Sequence, residues 1–160
     1  MPFWFRDHDR TVWDDRIVSI LRIMTGLMFM QHGAQKILGW FGGMGGNTAP
    51  MMSQFWFAGM LELVGGLLIA IGLFTRITAF ILAGEMAVAY FQAHVPRGGI
   101  IPIVNQGELA ALYCFVFLYF AVRGAGVWSV DAMMGRDRYV ATTTSTTGAP
   151  PLDTAPRRMG

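Results

Sequence analysis

The sequence predicts an all-α integral membrane fold, a four-helix transmembrane bundle with both termini on the cytoplasmic side. Three observations predict it. Hydrophobic residues fill 54% of the 160 positions, mean hydropathy is +0.45, and charged residues make up only 14%, where a soluble domain carries about 25%. Four apolar segments, near 17–39, 55–74, 77–94 and 107–123, each have about the length that spans a bilayer as a helix. The acids are also sorted by depth: the three glutamates (Glu62, Glu85, Glu108) lie in or at the edge of these segments, and the seven aspartates lie outside them.

The elements follow in chain order. Residues 1–16 (MPFWFRDHDRTVWDDR) mix aromatics with balanced charge and have no apolar core. They read as an interfacial segment, without the apolar stretch and small-residue cleavage site of a signal peptide. The first apolar run is therefore expected to be kept as a membrane helix. Within it, Arg22, Phe29, His32 and Lys36 fall inside an arc of about 80° at helical spacing, so one stripe of an apolar helix is cationic. Arg22 and Lys36 are about 21 Å apart along the axis and belong to opposite halves of the bilayer.

The connection from Gly39 to Gln54 holds GWFGGMGGNTAP, whose glycines and proline exclude regular structure. Only Thr75 and Arg76 separate the second and third segments, which makes those helices an antiparallel hairpin. The third connection, 95–106 (VPRGGIIPIVNQ), is apolar yet holds two prolines and two glycines, and it reads as a cap over one end of the bundle. With four spans the termini share a side. That side carries Arg6, Arg10, Arg16, Arg76, Arg123, Arg136, Arg138, Arg157 and Arg158, against Lys36 and Arg97 opposite, so it is cytoplasmic by the positive-inside rule. The tail, 132–160, is rich in Thr, Pro and Gly and reads as low-complexity sequence suited to docking a partner.

Composition excludes several functions. Cys114 is the only cysteine, which removes dithiol chemistry and a cysteine zinc site, and no metal site is expected. The basic residues flank apolar runs and form no cluster, so nucleic acid is not a partner. The expected surroundings are the lipid bilayer and other membrane or redox subunits.

What remains is the polar set inside the spans. An ionisable side chain in hydrocarbon must be paired or neutralised and turns to the interior. Topology brings His32, Lys36, Glu62 and Glu108 to similar depth, with Glu85 somewhat deeper. Ala58, Gly59, Gly65 and Gly66 share the face of Glu62 and allow a neighbouring helix to approach closely. His94 precedes a proline turn, which leaves its facing open. Arg22 lies out of reach of the glutamates, with Asp131 or a lipid phosphate as candidate partners.

The pattern Arg22, His32-Gly33-x-x-Lys36, Glu62-x-x-Gly65-Gly66, Gly72-x-x-Thr75-Arg76, His94, Asn105-x-Gly107-Glu108-Leu109-Ala110 and Gly124-x-Gly126-x-Trp128-Ser129-x-Asp131 resembles the DoxX family of small four-helix membrane proteins. The resemblance covers about 17–131, and Gln106 departs from the glycine of an Asn-Gly-Gly-Glu run. It implies a subunit associated with redox chemistry, because the family takes its name from a component of a thiosulfate:quinone oxidoreductase. The implied location is a bacterial or archaeal cytoplasmic membrane.

Two functions are compatible with these residues. In the first, a redox subunit binds quinone: His32, Glu62 and Glu108 handle protons, Lys36, Glu85, His94 and Asn105 line the substrate site, and Arg22, Arg76 and Asp131 are structural charges. No electron carrier is recognisable in the chain, so a partner supplies one. In the second, a non-catalytic accessory subunit of a larger membrane complex docks through its aromatic N-terminus and its tail, and the polar set serves only to hold the helices together.

Overall fold

The computed structural model describes residues 7–136, with side chains from Trp13 onward. The N-terminal segment before Asp7 and the tail beyond Arg136 lie outside the described residues. The described chain is helical: α1 (Asp7–Leu38), α2 (Gln54–Ile71), α3 (Thr75–Ala89), α4 (Val95–Gly98), α5 (Pro102–Asn105), α6 (Glu108–Arg123) and α7 (Val130–Met133). Among the described residues there is no strand, only an isolated bridge between Met44 and Asn47 in the glycine-rich loop.

Two boundaries differ from the expectation. The first helix does not begin at residue 17 but runs back to Asp7, about 48 Å in all, because residues 7–16 contain no proline or glycine to stop it. The third helical run does not end at His94 before the proline. A π turn at Tyr90–His94 carries it into α4, the N–H of Val95 reaching back five residues to the carbonyl of Tyr90. The extra residue offsets the ladder, and Pro96 then falls in the first turn of α4, where a missing N–H costs nothing.

α1 packs along α2 through glycine on both sides. A Cβ on Gly26 would stand 2.7 Å from the carbonyl oxygen of Gly66, and one on Gly66 would stand 2.7 Å from the amide of Met30. One on Gly33 would be 2.7 Å from the oxygen of Gly59 and closer still to the amide of Leu63. These glycines, seven residues apart on each helix, let the two backbones touch. On its other side α2 meets α3, where the Gly65 position is filled by Leu82.

α3 packs on α6, and the common core joins Val18, Phe29, Ile69, Leu82, Phe117 and Phe120. Outside, the helices are apolar: Phe80 is 68% exposed and Phe115 is 71% exposed. Inside, Arg22 and Ser19 are fully buried. Polar groups in the core and phenylalanines on the surface suit a hydrocarbon solvent. Two helical stretches, Trp13–Leu38 and Gln54–Ile71, are long and apolar enough to cross a membrane.

Candidate functional site

The glycine contact sets the site. With α1 and α2 backbone to backbone, Lys36 lies beside Glu62, and its Nζ donates to both oxygens of that carboxylate. Glu62 is 4% exposed, while the Lys36 side chain is 20% exposed, so the carboxylate is the shielded member of the pair. The α2–α3 hairpin adds a second acid. Gly65 faces Leu82, so Glu62, three residues back on α2, is level with Glu85, three residues on along α3. The Gln54–Gln92 hydrogen bond closes the same hairpin further along in the same register.

Glu85 feels the charges of both Glu62 and Lys36, yet among the described residues neither of its buried carboxyl oxygens has a hydrogen-bond partner. α6 contributes Tyr113, whose ring stands edge-on to His32 at 6.1 Å between centroids and to Phe29 at 5.0 Å. The site is therefore one cation, two carboxyls, an imidazole and a phenol in an aromatic setting, drawn from α1, α2, α3 and α6.

Other members of the expected set lie elsewhere. Glu108 does not join Lys36 and His32. It is exposed in the first turn of α6, where a carboxylate interacts favourably with the helix N-terminus. Its depth is as expected, since Tyr113 meets His32 and Glu108 lies five residues outward on α6 as Lys36 lies four outward on α1; its outward facing keeps it from the cluster. Glu85, expected deeper than Glu62, is level with it.

His94 and Asn105 sit together at the loop end, about 13 Å along the helix from Glu85. The Asn105 amide donates to the carbonyl of Gly99 at 2.7 Å and to the Tyr90 hydroxyl at 3.3 Å. Its oxygen accepts from the amide of Gly107 at 2.8 Å. The Nδ1 of His94 lies 3.2 Å from the carbonyl oxygen of Asn105. This cluster ties the 99–107 loop to the π turn.

The remaining charges close helix ends. Arg22 lays its guanidinium against backbone carbonyls: Nε donates to Ala125 at 2.8 Å, and the terminal nitrogens donate to Ile69, to Ala70 at 2.6 Å and to Trp128. Ile69 and Ala70 end α2, where carbonyls lack helical donors. Gly72, at φ 71°, leaves the room: a Cβ there would be 2.9 Å from Arg22 Cζ. Asp131 accepts from the amides of Phe74 at 3.0 Å and Thr75 at 2.8 Å, capping α3, whose own N-cap residue Phe74 cannot. Arg76 donates to the final carbonyls of α6, at Ala121, Val122 and Arg123. Arg123 pairs with Asp15 of α1.

Tyr113 was not singled out in the sequence. Its one signal is a hydroxyl in a run of phenylalanine, leucine and valine, which equally suits a lipid interface.

A groove of about 450 Å³ opens between α2 and α3, lined by Phe57, Leu61, Val64 and Leu68 on one side and Thr78 and Ile81 on the other. Glu85 lies one turn beyond Ile81 on α3, past the groove lining.

Known proteins place this arrangement in a family. The DoxX profile matches residues 17–95. An uncharacterized protein of Haemophilus influenzae is 47% identical over 117 residues, which is 71% of this chain and 87% of that protein. The Bacillus subtilis protein named "Putative oxidoreductase CatD" is 27% identical, over 70% of this chain and 82% of its own length. "Inner membrane protein YqjF" of Escherichia coli is 28% identical, over 77% and 95% respectively. No solved structure matches the chain. The chain belongs to the DoxX family of membrane proteins.

Proposed function

We propose that this chain is a four-helix transmembrane protein of the cytoplasmic membrane with both termini inside. In this reading it serves as the membrane subunit of a quinone-linked redox complex and receives a quinone headgroup at Lys36, Glu62 and Glu85. The observation that supports the reading is the buried carboxyl of Glu85, which has no hydrogen-bond partner among the described residues and stands next to the Lys36–Glu62 ion pair at the level of a lipid-side groove.

The residues fit such a ligand. The groove is apolar and of the volume of a small-molecule site, suited to an isoprenoid chain. The carboxyl of Glu85 and the ammonium of Lys36 offer hydrogen bonds to quinone oxygens. Quinone, when bound, supplies the redox chemistry, and a partner subunit supplies the electrons. Lys36 holds Glu62 in place, and His32 and Tyr113 wall the headgroup site with aromatic surface. The relative whose name contains "oxidoreductase" supports the redox part of the reading, and the relative named as an inner membrane protein supports the location. The four spans are α1, α2, the run from α3 to α4, and α6.

The test is purification of the full chain in mild detergent, with extraction for quinone and mass spectrometry of co-purifying proteins. The expected result is bound quinone and a redox partner, with turnover of the complex lowered at least tenfold by Lys36→Met. A stoichiometric complex without quinone, whose turnover is unchanged by Lys36→Met and Glu62→Gln, would instead establish an accessory subunit.

A further inference from the structure

We propose that Glu85 is a proton-binding site within the membrane, its carboxyl holding one exchangeable proton while Lys36 and Glu62 remain a fixed ion pair. The inference rests on the same cluster as the proposed function but makes a separate claim about it.

Charges at this depth of the membrane must balance. The charged groups that act on Glu85 are Glu62 from α2 and Lys36 from α1, and His32 of α1 stands against Tyr113 of α6. On α3 itself no other titratable residue lies between Arg76 and Tyr90. Two carboxyls therefore share one ammonium, and that ammonium is engaged by both oxygens of Glu62. The Glu85 oxygens are sealed and receive no hydrogen bond from any described group.

A bare carboxylate in that position would lack both a counter-ion and donors, a state that costs several kcal/mol even after relaxation. The neutral acid meets no such penalty. The two acids are level across the hairpin, so their like charges work against joint ionisation.

The cluster then holds protons in a stoichiometry that a purely structural network would not produce. One proton accompanies the wild-type cluster. Glu85→Gln removes it. Glu62→Gln also removes it, because Glu85 then ionises to pair with Lys36. Lys36→Met doubles it, because both acids lose their counter-ion.

The readout is infrared spectroscopy of the full-length protein in detergent at neutral pH, following the carbonyl stretch of protonated carboxyl groups and its shift in D₂O. Wild type is expected to show one D₂O-sensitive band, absent from Glu85→Gln and from Glu62→Gln. Lys36→Met, where it folds, is expected to show twice the wild-type intensity; the two glutamine variants keep side-chain size and carry the test where it does not. Absence of the band in wild type, or its persistence in Glu85→Gln, overturns the proposal. Quinone retained without the band leaves the proposed function and removes the proton site; the band without quinone does the reverse.

Discussion

At the scale of single residues, the interior charges fall into two kinds that their sequence positions only partly separate. Lys36 is held by a side chain and Arg22 by backbone carbonyls, although both sit on the same stripe of α1. Removing Lys36 as Lys36→Met strands Glu62, and loss of the partner of a buried carboxylate is expected to cost about 3–5 kcal/mol. Thermal unfolding in detergent should show that loss, and adding Glu62→Gln to the same protein should restore most of it. Arg22→Lys is expected to destabilise nearly as much as Arg22→Met, because an ammonium cannot cover carbonyls from Ile69, Ala70, Ala125 and Trp128 at once. Each carbonyl left buried without a donor costs about 1–3 kcal/mol. That Lys36 and Glu62 belong to one site was legible because both must be neutralised in hydrocarbon. The carbonyl partners of Arg22 were not, since carbonyl oxygens at a helix end leave no mark in sequence. Glu108 stands at the expected depth, and only its facing was not legible: it is exposed in the first turn of α6.

At the scale of elements, glycine spacing decides which helices touch. Gly59 and Gly66 were visible as a small face on α2, but their counterparts Gly26 and Gly33 on α1 are scattered among methionines and leucines and carry no obvious pattern. Gly33→Ala forces backbone atoms apart and is expected to lower stability by about 1–3 kcal/mol. Gly84→Ala is the matched control. Nothing lies within 4 Å of the added carbon, so it is expected to raise stability by about 0.5–1 kcal/mol. Parallel melting curves of the two variants check both signs. The π turn was illegible for a different reason. Pro96 marks a place where a regular helix must change, and only packing decides whether it stops or gains a residue. Here Asn105 fixes the outcome from the far side of the loop through Gly99, Gly107 and Tyr90. Asn105→Ala is therefore expected to speed amide hydrogen exchange in 90–107 while leaving α1 and α2 protected.

At the scale of the whole molecule, the chain is built for a solvent without water. Large apolar side chains cover the outside, and the buried arginine, glutamates and serine are satisfied by helix ends or by one another, with Glu85 the exception that points to function. Composition alone made the membrane class legible, because charge is scarce and the glutamates and aspartates are separated by depth. The proposed topology puts both ends in the cytoplasm, so fluorescent protein fused to either terminus is expected to fluoresce. Which groups meet across the helices was not legible at this scale, since a half-turn of rotation about one axis exchanges a site residue for a lipid-facing one. The central claim is that Glu85, Glu62 and Lys36 form a headgroup site served by the α2–α3 groove. Photoaffinity labelling of the membrane-embedded protein with an azidoquinone, followed by peptide mapping, tests it most directly. Label is expected within residues 54–85, with protection by excess quinone and loss in Lys36→Met. Label spread over the lipid-facing surfaces of α1 and α6, unchanged by competitor, would contradict it.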